Sequence, residues 1–144
     1  VAASDYSLTA SEVIALSPCE IGRAGATITA GQVVVDDPST GKLVLADANH
    51  ATAAICGRVK GIAAHNASDG QPLAYVGNGG RIRIDSTTAT GEQNETVYLS
   101  DTPGAMCSSD DAKMVGFSTV IGHVDTAGAI LTVQIAEAAA AYGN

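Results

Sequence analysis

The feature that most constrains this chain is its punctuation. Its β-branched and aliphatic runs are short, and Gly, Pro, Asp or Asn breaks them at the roughly 8–12-residue spacing of an all-β domain. Residues 28–35 (ITAGQVVV) run into Asp36-Asp37-Pro38-Ser39-Thr40-Gly41 and then into 42–46 (KLVLA). Proline presets φ and glycine supplies a positive φ, so a hairpin is predicted here. Residues 55–63 (ICGRVKGIA) read as a strand interrupted by Gly57 and Gly61, where a missing Cβ lets another backbone approach closely. A polar loop over 65–71 leads to a strand over 72–76, and Gly77-Asn78-Gly79-Gly80 signals a tight turn. Residues 81–85 alternate with period two, which puts Arg81, Arg83 and Asp85 on one face and Ile82 and Ile84 on the other. Further strands are predicted over 96–100, 115–124 and 129–136.

Helical periodicity is sustained nowhere. The sequence offers at most a short helix capped by Asp5 or Ser11, one turn over 47–54 capped by Asp47 or Asn49, and a short helix over 137–141 before Tyr142. The predicted fold is all-β: a compact β-barrel or jelly-roll-like sandwich of short antiparallel strands. Residues 1–11 are polar, with Tyr6 and Leu8 as their only large apolar anchors. They read as an extended N-terminal arm on a single β domain spanning 12–144. A faint internal repeat links Ala30-Gly31-Gln32, Val33-Val34-Val35, Gly41 and Val59-Lys60-Gly61-Ile62-Ala63 to Thr90-Gly91-Glu92, Val97-Tyr98-Leu99, Gly104 and Val120-Ile121-Gly122-His123-Val124. Two related β-units packed into one barrel would produce it, and chance similarity of Gly/Val-rich text is the alternative.

At 144 residues the chain can bury roughly 70% of its unfolded surface in one core without disulfides. That core is thin: 26 residues are Ala and 16 are Gly, Trp is absent, and Phe117 is the one Phe. Packing against other subunits would then add to what the fold supplies alone. Net charge is −8, and the seven basic residues are scattered from Arg23 to Lys113. That leaves no positive footprint for nucleic acid and disfavours an anionic membrane surface. No run reaches the roughly 18 apolar residues of a membrane span. Cys19, Cys56 and Cys107 are odd in number and far apart, which fits unpaired buried thiols and folding in a reducing cytoplasm.

Catalytic signals are absent from the text. No Gly-x-Ser-x-Gly elbow or cysteine-protease run surrounds any Ser or Cys. His50, His65 and His123 lack the close-spaced partners of a zinc site. Glu92 and Glu95 sit in a polar loop and read as a solvated turn. The acidic turns Asp36-Asp37 and Asp110-Asp111 lack the alternating ligands of a calcium loop. The expectation is a non-enzyme with no cofactor and no metal. Arg81 and Arg83 are candidates for docking a carboxylate-bearing partner, beside the plainer reading of a solvated, aggregation-guarding strand face. Tyr6 and Leu8 are the candidates on the arm.

The order of the pieces resembles a known family. An AGQ turn before a Val-rich strand (30–35), an acidic Thr-Gly-Lys hairpin and Ile-Cys-Gly-Arg-Val-Lys-Gly-Ile-Ala are followed by Asp-Gly-Gln-Pro-Leu, then by Thr-Gly-Glu and Thr-Val-Tyr-Leu-Ser-Asp-Thr-Pro-Gly. Over 28–136 this rhythm is similar to that of the small proteins that decorate or cement the capsids of tailed bacteriophages. The resemblance implies a compact β-barrel or jelly roll, made in the host cytoplasm, that binds the outer surface of the expanded head as a dimer or trimer. It would clamp neighbouring major capsid subunits and bring no catalytic residues. The alternatives are another virion module, such as a head-fibre base or tail-associated part, and a cell-surface or S-layer-like β module.

Overall fold

The computed structural model describes residues 10–47, 58–84, 95–100, 102–108, 116–117, 119–125, 130–136 and 141–142. A 3-10 turn, Ala10–Glu12, precedes β1 (Ile14–Ala15) and β2 (Glu20–Arg23). Next come β3 (Val33–Asp36), β4 (Leu43–Leu45), β5 (Val59–Ala63), β6 (Pro72–Gly77) and β7 (Arg81–Arg83). The later strands are β8 (Glu95–Leu99), β9 (Met106–Ser108), β10 (Gly116–Phe117), β11 (Val120–Asp125), β12 (Ile130–Ala136) and β13 (Ala141–Tyr142).

The strands form a five-stranded sheet, β2-β6-β5-β3-β4, and a six-stranded sheet, β1-β7-β12-β11-β8-β9, with β10 and β13 as a separate pair. Alternation decides what each face does. Val33, Val35, Val59, Ile62 and Val76 of the five-stranded sheet pack against Ile82, Val97, Leu99, Ile121, Val124, Leu131 and Val133 of the six-stranded one. This is the inter-sheet core of a sandwich. The opposite face of the five-stranded sheet has a smaller core of its own: Val34, Leu43, Ala63, Leu73 and Tyr75, with Ala24, Ile28 and Ala67. An arch covers it, closed by the antiparallel bridge Ile28–Ala67. The edges of that sheet meet at one isolated parallel bridge, Ala24–Leu43. One bridge is not a closing ladder, so the architecture is a sandwich and not a barrel.

Several predicted elements take other forms. The strand expected over 28–35 begins only at Val33, because Thr29-Ala30-Gly31-Gln32 is a tight turn with Gly31 at φ 91°. The strand expected over 115–124 is two, β10 and β11. Ala141, expected to end a helix, lies opposite Phe117 in a β-pair. Ser11 lies inside the 3-10 turn and not at a cap, and the turn expected after Asp47 lies outside the described residues. Residues 1–9, 48–57 and 137–140, with Tyr6, Leu8, His50 and Cys56, lie outside the described residues. Ala10, at the end of the expected arm, packs against the inter-sheet core.

The internal repeat is real at the level of topology. Each sheet contains the same path: a first strand (β2 or β7), a hairpin (β3–β4 or β8–β9), then two strands (β5–β6 or β11–β12) that return between the first strand and the hairpin. Both hairpins carry a glycine in the left-handed region, Gly41 at φ 73° and Gly104 at φ 78°. Both units bulge at the same place. Val59 and Gly61 face Val35 and Val34, with Lys60 left over, while Val120 and Gly122 face Tyr98 and Val97, with Ile121 left over. This register makes Val34 the equivalent of Val97, one residue off the match of Val33 with Val97 suggested by the sequence. The units pack as two sheets of a sandwich, with the glycine-rich link between them tied to the second: Gly79 N donates to Val133 O, and Val133 N to Gly80 O.

Candidate functional site

Exposed apolar surface is where a small β-protein meets partners. Among the described residues the large exposed hydrophobics are Ile14 (47% exposed), Leu16 (48%) and Ile21 (74%). All three lie on one rim. β1 edges the six-stranded sheet, β2 edges the five-stranded sheet, and the chain between them crosses from one to the other. Ile14 stands opposite Arg83 on β7, and Leu16 N donates to Arg81 O at 2.9 Å. Ser17 Oγ accepts from Arg81 N at 3.1 Å and holds the crossing to β7.

The alternation read from 81–85 holds over 81–84, and Asp85 lies outside the described residues. Ile82 and Ile84 are fully buried, Arg81 is exposed and Arg83 is half-buried. Arg81 and Arg83 therefore occupy the outer face of the six-stranded sheet, beside Ile14 and Leu16, and no ion pair among the described residues includes either arginine. Neither Tyr6 nor Leu8 lies within the described residues, and the described chain starts next to them, at Ala10.

Of the other sequence candidates, Asp36, Asp37 and His65 are spent locally, and Glu92, Asp110 and Asp111 lie outside the described residues. Asp36 pairs with Lys60 at 3.2 Å. Asp37 accepts from Ser39 N and Oγ, which shapes the β3–β4 turn. His65 shares Nδ1 with Asn66 O and accepts Ala74 N–H on Nε2, so it staples the loop after β5 to β6. His123 is in β11 of the other sheet. Cys19 is half-buried, and Cys107 is buried with its Sγ donating to Leu99 O at 4.0 Å. Among the described residues no group of three or more His, Cys, Asp or Glu is placed to hold a metal ion, and no helix is long and apolar enough to cross a membrane.

One surface feature escaped the sequence reading. An open polar groove of about 180 Å³ is lined by Thr27, Ile28, Thr29, Asn66, Ala67, Ser68 and Gln71. Two matching turns frame it, Thr29-Ala30-Gly31-Gln32 and Ser68-Asp69-Gly70-Gln71. In each, the Gly has positive φ, the Gln N–H bonds the first residue's carbonyl, and the Gln Oε1 accepts the first residue's N–H at 2.8 Å. The letters T-A-G-Q and S-D-G-Q were the available signal. These polar groups are engaged in building the arch over the smaller core, which leaves the rim as the better functional candidate.

Electrostatics on the five-stranded side are structural and set an alkaline limit. The neighbouring Asp36 carboxylate, by hydrogen bond and charge, holds Lys60 above its ordinary 10.5. Burial pushes the Tyr75 phenol above its ordinary 10.0, and the charge of Glu20 adds to it. Both groups hold their protons more tightly in the folded chain than in the unfolded one. Their contribution is therefore complete below about pH 10 and is lost as pH rises through the folded values. The Lys60–Asp36 pair is nearly half exposed, so its own share is below about 1 kcal/mol. Melting temperature should fall as pH rises above about 10, and Tyr75→Phe should make that fall shallower. An equal slope in the variant would remove Tyr75 as a cause.

No protein-family model and no curated protein matches the chain.

Proposed function

We propose that this protein is a non-catalytic structural component of a virion, decorating and stabilising the outer surface of a phage capsid by bridging neighbouring major capsid subunits. The observation that carries the reading is the rim. The large hydrophobics exposed among the described residues are Ile14, Leu16 and Ile21, and Ile14 and Leu16 stand beside Arg83 and Arg81. Apolar and Arg side chains on one patch are the composition of a protein interface. The order of turns and strands resembling capsid-decoration proteins points the same way.

A patch this small makes one copy a modest binder. Tight attachment then comes from a dimer or trimer that engages several capsid subunits at once, at high effective concentration. Capsids stripped of the chain should break at lower temperature or milder osmotic shock, and adding it back should restore them. Obligate monomers should bind far more weakly than a loss of one-half or two-thirds of the sites explains. Deleting residues 1–9 should leave the melting temperature nearly unchanged and weaken attachment through the loss of Tyr6 and Leu8. If stripped capsids are as robust as complete ones and the purified chain binds no capsid surface, the reading is wrong and a cell-surface module takes its place.

A further inference from the structure

We propose that the outer face of the six-stranded sheet, centred on the cross-strand row Arg81–Thr132–His123–Thr96, is the docking surface and that its occupant is an acidic protein surface. The inference rests on the assembly reading and adds the chemistry of the partner.

The register defines the row: Arg81 lies opposite Thr132, Thr132 opposite His123, and His123 opposite Thr96. Their neighbours Ile82, Leu131, Val133, Val124 and Val97 all point into the inter-sheet core, so the row faces outward. The internal repeat shows what this face does elsewhere in the molecule. The bulges place Val33, Ile62 and Val76 in the first unit where Thr96, His123 and Thr132 stand in the second. In the first unit that row is fully buried, pressed against the second unit's sheet. The same backbone surface already serves as a sheet-to-protein interface within the chain. In the second unit it is half-exposed and carries hydroxyls and an imidazole in place of Val and Ile.

Charge selects the occupant. The chain carries −8, yet this face holds Arg81 and Arg83. Asp85, which the alternation of 81–85 places on the same face, lies outside the described residues. Lys42 and Lys60, on the other unit, are each paired with an aspartate. A nucleic acid requires a broader positive footprint than two arginines on an acidic chain. A protein surface rich in Asp and Glu meets the arginines with charge-assisted hydrogen bonds, while Ile14 and Leu16 at its margin supply apolar area.

The test uses the whole chain and two readouts. In an NMR titration with a polyglutamate peptide, amide shifts should be confined to β7, β11, β12 and Thr96, weaken with added salt, and vanish in Arg81→Glu/Arg83→Glu. Shifts that are absent, or that centre on Arg23, Lys42 and Lys60, overturn the proposal. On expanded capsids the same double variant, with its melting temperature checked, should attach about tenfold or more weakly than the unaltered chain. Equal attachment of variant and unaltered chain overturns the face and leaves the assembly reading standing. Failure of the unaltered chain to attach removes the assembly reading, and the peptide titration still decides the face.

Discussion

Gly122→Ala should lower the melting temperature by about 10 °C, the equivalent of about 3 kcal/mol or more at this chain length. A Cβ at Gly122 would lie 2.0 Å from Thr132 O, with Thr132 C and Gln134 N also within close reach. All three are backbone atoms of β12, the neighbouring strand, and none can swing aside as a side chain would. β12 would have to move bodily, and Leu131 and Val133 on it are buried in the core shared by both sheets. Gly61 is the matching position, where a Cβ would meet Val76 O at 2.2 Å, so Gly61→Ala should cost a comparable amount. Gly41→Ala is the control. No atom lies within 4 Å of its Cβ site, and only its φ of 73° opposes a side chain, a cost of about 1–2 kcal/mol. The measurement is thermal and denaturant unfolding of the three variants. A Gly122→Ala melting point within about 2 °C of the unaltered chain would mean that the bulge is not held against β12.

Those two glycines mark what sequence can and cannot carry. The close backbone approach at Gly61 was readable, because a glycine inside an otherwise β-branched run has few other reasons to be there. The face exchange between the repeats was not. Matching Val33 with Val97 looks natural in the text, yet the structure matches Val34 with Val97. With a side-chain period of two, a slip of one residue turns every side chain to the other face. The bulge residues Lys60 and Ile121 leave no local signature from which that slip could be found.

The candidate site divides in the same way. Arg81 and Arg83 were legible because strict alternation with Ile82 and Ile84 fixes their face, whatever sheet they join. Ile14, Leu16 and Ile21 were not, since an apolar residue in a short strand reads as core unless the strand is known to be an edge. That knowledge is topological. β2 becomes an edge only because β6 returns beside it from far along the chain, and β1 only because it pairs with β7. The paired turns around Gly31 and Gly70 are hidden for another reason: one falls inside a run that reads as a strand over 28–35 and the other inside a polar loop over 65–71. Only the Ile28–Ala67 bridge brings them together.

Exchanging one equivalent pair between the repeats should have opposite outcomes at its two ends. Ile62→His places an imidazole where the first unit buries a fully enclosed Ile against the second sheet. It loses aliphatic packing and buries a polar ring between Val, Leu and Ile side chains, at a cost of about 3–5 kcal/mol. The cost should grow as pH falls below about 6.5, where the unfolded chain protonates the new histidine and the buried one resists. Because the damaged core draws side chains from both sheets, the two units should unfold together in one transition at a lower midpoint. His123→Ile makes the reverse change on the outer face, where a β-branched residue suits the strand and no enclosed neighbour is displaced. Its stability should stay within about 0.5 kcal/mol of the unaltered chain, while an isoleucine between Thr96 and Thr132 now faces outward. Self-association in sedimentation velocity should rise accordingly, because the altered face then resembles the one the first unit already buries. A His123→Ile cost above about 2 kcal/mol would show that His123 is a structural residue and would break the equivalence of the two faces. Tolerance of Ile62→His would break it from the other side, since the row in the first unit would then not be the sealed counterpart of the row that the second unit leaves open.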